Sequence, residues 1–466
     1  MKRLIFLAAA LLFAAACDGG VQNTPAPSAP PAEDWVVTPN EIHVKPVTGS
    51  PYAGGLRVAA LEGDEIHVVT MMTVDWDYIE NQKEASGAHQ YQTTTAWADT
   101  FPGGTVTIRT VPLNEHTTNL TAATAGGEAP DIIPVNEFNF PLWPKRGLTA
   151  DMKWYADNLD LYNAEIFSKD LMDQYAWKGE YPWAVINEAV SRYYVVYNKT
   201  LFDAAGEKTP FEYWQEGNWN WTQFVQTAKA MTVGEESYGF TGWGLGANRG
   251  PYTMTTLDGD GVANLNIGDA NYIRYMTEVA NLYQTENAGR TGWESNEWET
   301  LMTAGTDAMA ITNIGHFVRM SRTVQRRQTG ADIRIAPLWN FDPTGETEPI
   351  SPTDVWGYSI SRAAKNPVGA AEYIRLESLV MKAIENENGH IALPYFNDEE
   401  RAMWEEYEAG VRTVIDCTSG IGDCYQILNE NPIPIYGGPT TVSVQSMFDT
   451  IAPLLQRAVD DFNTSN

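Results

Sequence analysis

The 466-residue chain is poor in three residue types that large functional classes depend on: it has three cysteines, six histidines and 30 basic residues against 60 acidic ones. The histidines are scattered and form no pair at metal-ligand spacing, and no second Cys/His pair accompanies the cysteines, so no metal site is expected. A formal charge of -30 makes nucleic acid and anionic lipid surfaces poor partners. The acids are spread along the chain as on a solvated surface. After the first 17 residues no apolar run approaches the roughly 20 residues needed to span a bilayer. G-x-S-x-G, the usual mark of a serine hydrolase, is missing. In Leu257-Asp-Gly-Asp-Gly-Val-Ala-Asn264 a calcium loop starting at Asp258 would need an oxygen ligand at Val262 and a glycine at Ala263. A turn before a short strand is the better reading.

What the chain does have begins at its N-terminus, MKRLIFLAAALLFAAAC. Lys2 and Arg3 precede an apolar run from Leu4 to Ala16, which reads as a secretory signal over residues 1–16. The three alanines before Cys17 resemble a bacterial lipobox, with Ala14 where leucine is usual. Lipidation of Cys17 is the expectation, and cleavage near Ala16 by an ordinary signal peptidase is the alternative. Residues 17–62 include DGGVQNTPAPSAPPAED, too rich in Pro, Ala, Ser and Gly to bury a core, and read as a disordered tether to the membrane. The other two cysteines lie in DCTSGIGDC. Six residues separate Cys417 from Cys424, and in an exported chain this spacing predicts a local disulfide worth roughly 2.5 kcal/mol.

About 400 residues remain, more than one ordinary core holds, so two domains are expected. EIHVVTMMTV, TVTIRTVPL, PDIIPV and RYYVVYN read as strands, and TQFVQTAKAMT and YIRYMTEVANLY as amphipathic helices. Their alternation predicts an α/β fold with largely parallel sheets.

Seven phrases along this stretch resemble, in order, those of extracellular solute-binding proteins of family 1, the maltose-binding-protein-like receptors of ABC importers. They are Phe101-Pro-Gly-Gly-Thr-Val106, Gly127-Glu-Ala-Pro-Asp131-Ile, Gly147-Leu-Thr-Ala-Asp151-Met, Tyr197-Asn-Lys-Thr-Leu-Phe-Asp-Ala-Ala-Gly206, Asn220-Trp-Thr-Gln-Phe through Thr232, Gly305-Thr-Asp-Ala-Met309, and Trp356-Gly-Tyr-Ser-Ile-Ser361 with Lys365-Asn-Pro-Val-Gly-Ala-Ala371. The resemblance implies a two-lobed periplasmic-binding-protein-like α/β fold (type II) with the ligand in a cleft between the lobes. Lobe 1 is expected over 63–185 with 310–360 returning to it, and lobe 2 over 186–309 with 361–466 returning. It further implies a monomeric receptor that hands a small solute to an ABC permease, with no catalytic residues and no cofactor.

Sixteen tryptophans and 22 tyrosines suit carbohydrate capture, because a sugar's C–H face packs on an indole while its hydroxyls bond to polar side chains. Roughly half of these rings should instead be core. By the resemblance, ligand contacts come from Trp76 and Asp77, Asn136 and Glu137, Glu188, Trp243, Asn313 and His316, and Trp356 with Tyr358. Each has a structural alternative: Glu188 and Asn313, for instance, could be hinge hydrogen-bonding residues. Other functions that fit the sequence are a surface-tethered carbohydrate-active enzyme and a same-fold receptor for a polyamine, peptide or anion.

Overall fold

Two β-sheets organise the chain, and the computed structural model describes residues 40–44, 56–60, 68–75, 97, 105–112, 115–187, 190–242, 252–290, 297–339, 350–355, 357–388, 392–430 and 443–465. β1 (Asn40–Val44) and β2 (Leu56–Ala60) form an antiparallel ribbon with Ile42 opposite Val58. This ribbon corrects the expectation of a structureless tether through residue 62. Ile42 and Val44, like Leu56 and Val58, alternate with polar or small residues at the period of a strand.

The first sheet contains β3 (Val68–Asp75), β4 (Thr105–Pro112) and β5 (Ile132–Val135), all parallel, with α1 (His116–Ala125) crossing between β4 and β5. Every residue of β5 is buried, as befits a parallel strand covered on both faces.

The second sheet starts with β6 (Val190–Asn198) and gains β7 (Phe240–Thr241) after α2 (Trp221–Ala230). A separate hairpin of β8 (Thr255–Leu257) and β9 (Ala263–Leu265) precedes α3 (Ala270–Gln284). Asp269 caps α3 by accepting the N–H groups of Asn271 and Tyr272, and Tyr272, Tyr275, Met276, Val279 and Tyr283 form its buried stripe. β10 (Gly289–Arg290), α4 (Glu297–Ala304), β11 (Met309–Asn313), α5 (Ile314–Arg327), β12 (Ile333–Pro337) and β13 (Ile350–Val355) follow. β10, β7 and β11 are parallel, while β6 runs antiparallel to β11, β12 and β13.

The chain then re-enters the first sheet as β14 (Gly357–Ile360), antiparallel to β5, and α6 (Pro367–Asn388) packs on β3 and β14. α7 (Asp398–Gly410) lies against β12, β15 (Arg412–Val414) pairs with β13, and α8 (Cys424–Glu430) and α9 (Val444–Thr464) pack together, α9 also against α3 and β9.

This topology differs from the expected partition. β11, β12 and β13 stay with the second sheet, and the return to the first begins only at Gly357 and continues through α6. Strand pairing between segments more than a hundred residues apart leaves no trace in local periodicity, so the sequence could show the strands without showing their sheet.

The family-like phrases turn out to be joints of the scaffold. Asp131 of the Ala-Pro-Asp phrase accepts the Asn366 N–H at 2.8 Å, tying it to Lys365-Asn-Pro. Asn198 donates from Nδ2 to the Met302 carbonyl at 3.1 Å, and Gly206 ends its helix at φ 69°, where a side chain is disfavoured.

Cys417 and Cys424 are buried free thiols, which corrects the expected disulfide. Their loop takes its shape from Asp416, which accepts the Thr418 N–H at 2.7 Å, and from Gly420 packed on Phe140. Burial, with Asp416 nearby, pushes both thiols up, that of Cys424 to about 12.

Candidate ligand-binding cleft

The two sheets are joined by a pair of antiparallel crossings. Ala184 and Tyr358 exchange backbone hydrogen bonds at 2.8 and 3.0 Å beside the first sheet, and Val190 pairs with Val355 in the second. Gly357 has no room for a side chain, since a Cβ would meet the Ala184 carbonyl oxygen at 2.8 Å. Both functional edges adjoin these crossings. Val135, at the carboxyl end of β5, pairs with Gly357, and Asn313, at the carboxyl end of β11, pairs with Tyr193, three residues from the start of β6. Ligands of open α/β sheets bind outside the carboxyl ends of strands, so a cleft at the crossing is where this architecture places one.

On the first-lobe side the chain leaves β5 through a tight turn. Asn136 is buried; its Oδ1 accepts the Phe138 N–H at 3.1 Å, and its own N–H donates to Asn139 Oδ1 at 3.0 Å. The side-chain oxygen expected to meet ligand shapes the loop instead, and presents half-buried Glu137 and Phe138 beside it.

On the second-lobe side Asn313 is the N-cap of α5, its Oδ1 accepting the His316 N–H at 3.2 Å. The His316 ring meets the Trp298 indole at 5.4 Å between centroids, and its Nδ1 lies 2.5 Å from Glu299 Oε1. Arg319, one turn on from His316, grips the same carboxylate, donating from Nε to Oε2 at 2.8 Å and from Nη2 to Oε1. Burial pushes the Glu299 carboxyl up, but the hydrogen bonds from His316 and Arg319 outweigh it and hold it below its ordinary range. The Trp298 ring lies 3.7 Å from where a Cβ on Gly242 would stand, at the end of β7. Trp298, Glu299 and Arg319 thus join His316 at this edge, although the sequence reading did not select them. The available signal was the i, i+3 spacing of His316 and Arg319, which share one face of α5, with Trp298-Glu299 near the start of α4.

The Tyr358 side chain is tied to the scaffold. Its hydroxyl donates to Glu377 Oε1 at 2.7 Å, and Glu377 is wholly buried on α6 beneath the sheet. Trp76, Asp77, Glu188, Trp243, Trp356 and Cys17 lie outside the described residues.

Two α/β lobes, double antiparallel crossings and strand ends converging on them define a bilobal binding protein. The chain belongs to the bacterial extracellular solute-binding protein family, whose sequence profile matches residues 81–376. An ABC substrate-binding protein of Listeria monocytogenes, solved with cycloalternan, shares the fold at a TM-score of 0.60 and 17% identity over 85% of this chain and 98% of that one. The sugar-binding protein MalE of Xanthomonas citri aligns at 0.63 and 15% identity, over 86% and 100% of the two chains. UgpB of Mycobacterium tuberculosis, solved with glycerophosphocholine, aligns at 0.62 and 15% identity, over 84% and 98%. A search of curated proteins found no match.

Proposed function

We propose that the protein captures a sugar or oligosaccharide between its lobes and delivers it to the transmembrane subunits of an ABC importer. The observation that carries this reading is the convergence of the carboxyl ends of β5 and β11 on the double crossing, where half-buried Glu137 and Phe138 of one lobe and the Glu299–Arg319 pair of the other supply a ring and fixed polar groups. That combination suits a ring with an apolar face and hydroxylated rim. Sugar-binding structural relatives support it. Trp76, Trp243 and Trp356 are assigned as further stacking rings, and Asp77, Glu137, Glu188 and His316 as partners for hydroxyls. A ligand touching both lobes favours the closed state, which a permease can distinguish from the empty one. The cycle makes and breaks no covalent bond, so no residue is assigned a catalytic role. Cys17 is assigned as the lipidated anchor of a monomer held at the outer face of the membrane.

A thermal-shift screen tests the ligand class. A bound ligand at 100 times its Kd should stabilise the protein by about 2.7 kcal/mol. Glycerophosphocholine belongs in the same screen, because one structural relative was solved with it. Stabilisation by that compound or by a polyamine, with none by any mono- or oligosaccharide, would refute the sugar reading and leave the receptor fold untouched.

A further inference from the structure

The loop leaving β5 is gripped from outside by a segment of the C-terminal part of the chain, Asp416–Tyr425. Gly420 sits so close to it that a Cβ would come within 1.8 Å of the Phe140 carbonyl oxygen and 3.0 Å of Pro141 N. Five residues on, the Tyr425 ring meets Phe138 edge-on at 5.2 Å between centroids. The same segment is bonded to the β8–β9 hairpin region, which leads directly into α3, packed on β10 of the second sheet. Asp416 accepts the Met254 N–H at 2.5 Å, and the hydroxyls of Thr418 and Thr255, both buried, lie 2.9 Å apart. A second contact parallels this one: Phe462 at the end of α9 lies under Lys145 Nζ at 4.7 Å and 6.4 Å from Trp177, both in the first lobe.

We propose that Asp416–Tyr425 is a strap that ties the Asn136–Pro141 loop to the second lobe and limits how far the lobes open. The two ends of the strap are unlike. Its second-lobe end is held by buried hydrogen bonds, one of them to a carboxylate, which fix direction and distance. Its first-lobe end is a close-fitting contact of a glycine on a carbonyl and of a ring on a ring. Opening of the lobes about the crossings has to part these fitted surfaces, so the contact acts as a stop. Gly420 is required because any side chain there displaces the first-lobe loop. Tyr425 is 40% exposed, so its ring serves the contact with Phe138 more than it serves the core. The proposal rests on reading the Asn136–Pro141 loop as a cleft wall, and it makes the strap a positioning element for that wall, acting without touching ligand.

The test needs no ligand, so its outcome is independent of which solute is bound. Gly420→Ala and Tyr425→Ala are compared with wild type by small-angle scattering and by amide hydrogen exchange. The expected result is a larger radius of gyration, with exchange at Phe138 and Asn139 faster by about tenfold while Ile133 in β5 and Ile311 in β11 keep their rates. Tyr425→Ala supplies the reading should Gly420→Ala fail to fold. An unchanged radius and unchanged exchange in Tyr425→Ala overturn the proposal. A rise spread equally over β5 and β11 overturns it as well, since that is general destabilisation.

Discussion

Tyr358 donates a hydrogen bond from its hydroxyl to Glu377 Oε1 at 2.7 Å, so a side chain whose position in the sequence pointed to ligand is held by the scaffold. The bond links half-buried Tyr358 of β14 to the buried Glu377 of α6 directly behind the double crossing. Tyr358→Phe should lower stability by about 1 to 3 kcal/mol, the cost of leaving a buried acceptor without its donor. Affinity for any ligand found in the screen should stay within about twofold. Urea denaturation and titration of the same variant check both statements, and a large loss of affinity at unchanged stability would return Tyr358 to the cleft.

Glu372, also on α6, gives the protein a pH-dependent weakness. Burial raises its carboxyl to about 7 against the opposing pull of Arg375 and of the Asn158 amide, which donates to it at 3.2 Å. An acid with a folded pKa above its unfolded one keeps its proton longer in the native state. Stability therefore falls as pH rises from about 4.5 to 7, by roughly 3 kcal/mol in total at 1.36 kcal/mol per unit. Glu372→Gln should raise the Tm above pH 7 and make little difference near pH 4.5. Parallel melting curves at pH 5 and pH 8 decide it: the idea fails if the mutant keeps the full wild-type difference.

Glu299 behaves in the opposite sense. His316 and Arg319 hold its carboxyl below the unfolded value, so its contribution is present above that value and is lost as pH falls through the lower folded one. Arg319→Ala should cost about 1 to 3 kcal/mol at pH 7, because a largely buried carboxylate loses its two-point partner. As pH falls through the lowered folded value and the carboxylate takes up its proton, the difference from wild type should shrink. Equal destabilisation above and below that value would assign the loss to packing of the arginine stem.

These three cases show what the sequence reveals. RYYVVYN and TVTIRTVPL are strands within two residues of their expected limits, since local periodicity is a property of the segment itself. The partner of each segment is not local, and β11, β12 and β13 were accordingly placed in the wrong sheet. At the cleft, loop position placed His316 after the carboxyl end of β11, but it could not separate a polar side chain facing solvent from one engaged by its own turn. Asn136 and Asn313 are of the second kind, a turn former and a helix cap, for which Asn is favoured whatever the function. Glu299 escaped notice because its meaning comes from His316 and Arg319 on a neighbouring helix.

The thiols offer a chemical check on the loop that forms the strap. Cys417 and Cys424 are buried, with thiolates disfavoured, so neither should react with iodoacetamide at pH 8 in the native protein. Both should react once the chain is unfolded in urea under non-reducing conditions. Intact mass after alkylation reads the number directly. A chain that takes up no label at these two positions even when unfolded carries the disulfide the structure lacks.

The last prediction concerns Trp243 and Trp356, which the sequence sets in glycine-flanked stretches: Trp243 follows β7, whose carboxyl end meets the Trp298 edge, and Trp356 falls between β13 and β14 at the crossing. A large ring at either point is useful to a receptor only if a ligand covers it, whereas a ring serving the core would be needed with or without ligand. The two roles leave different signatures in one mutant. Loss of a stacking platform should weaken binding by about 2 kcal/mol or more, over tenfold in Kd, at nearly constant Tm. Loss of a core tryptophan should cost about 3 to 5 kcal/mol of stability. Trp356→Ala and Trp243→Ala are expected to give the first pattern, measured by calorimetric titration with the best sugar of the screen and by thermal melting. Should either variant melt far below wild type while binding that sugar normally when folded, its ring belongs to the scaffold, and the sugar is held without it.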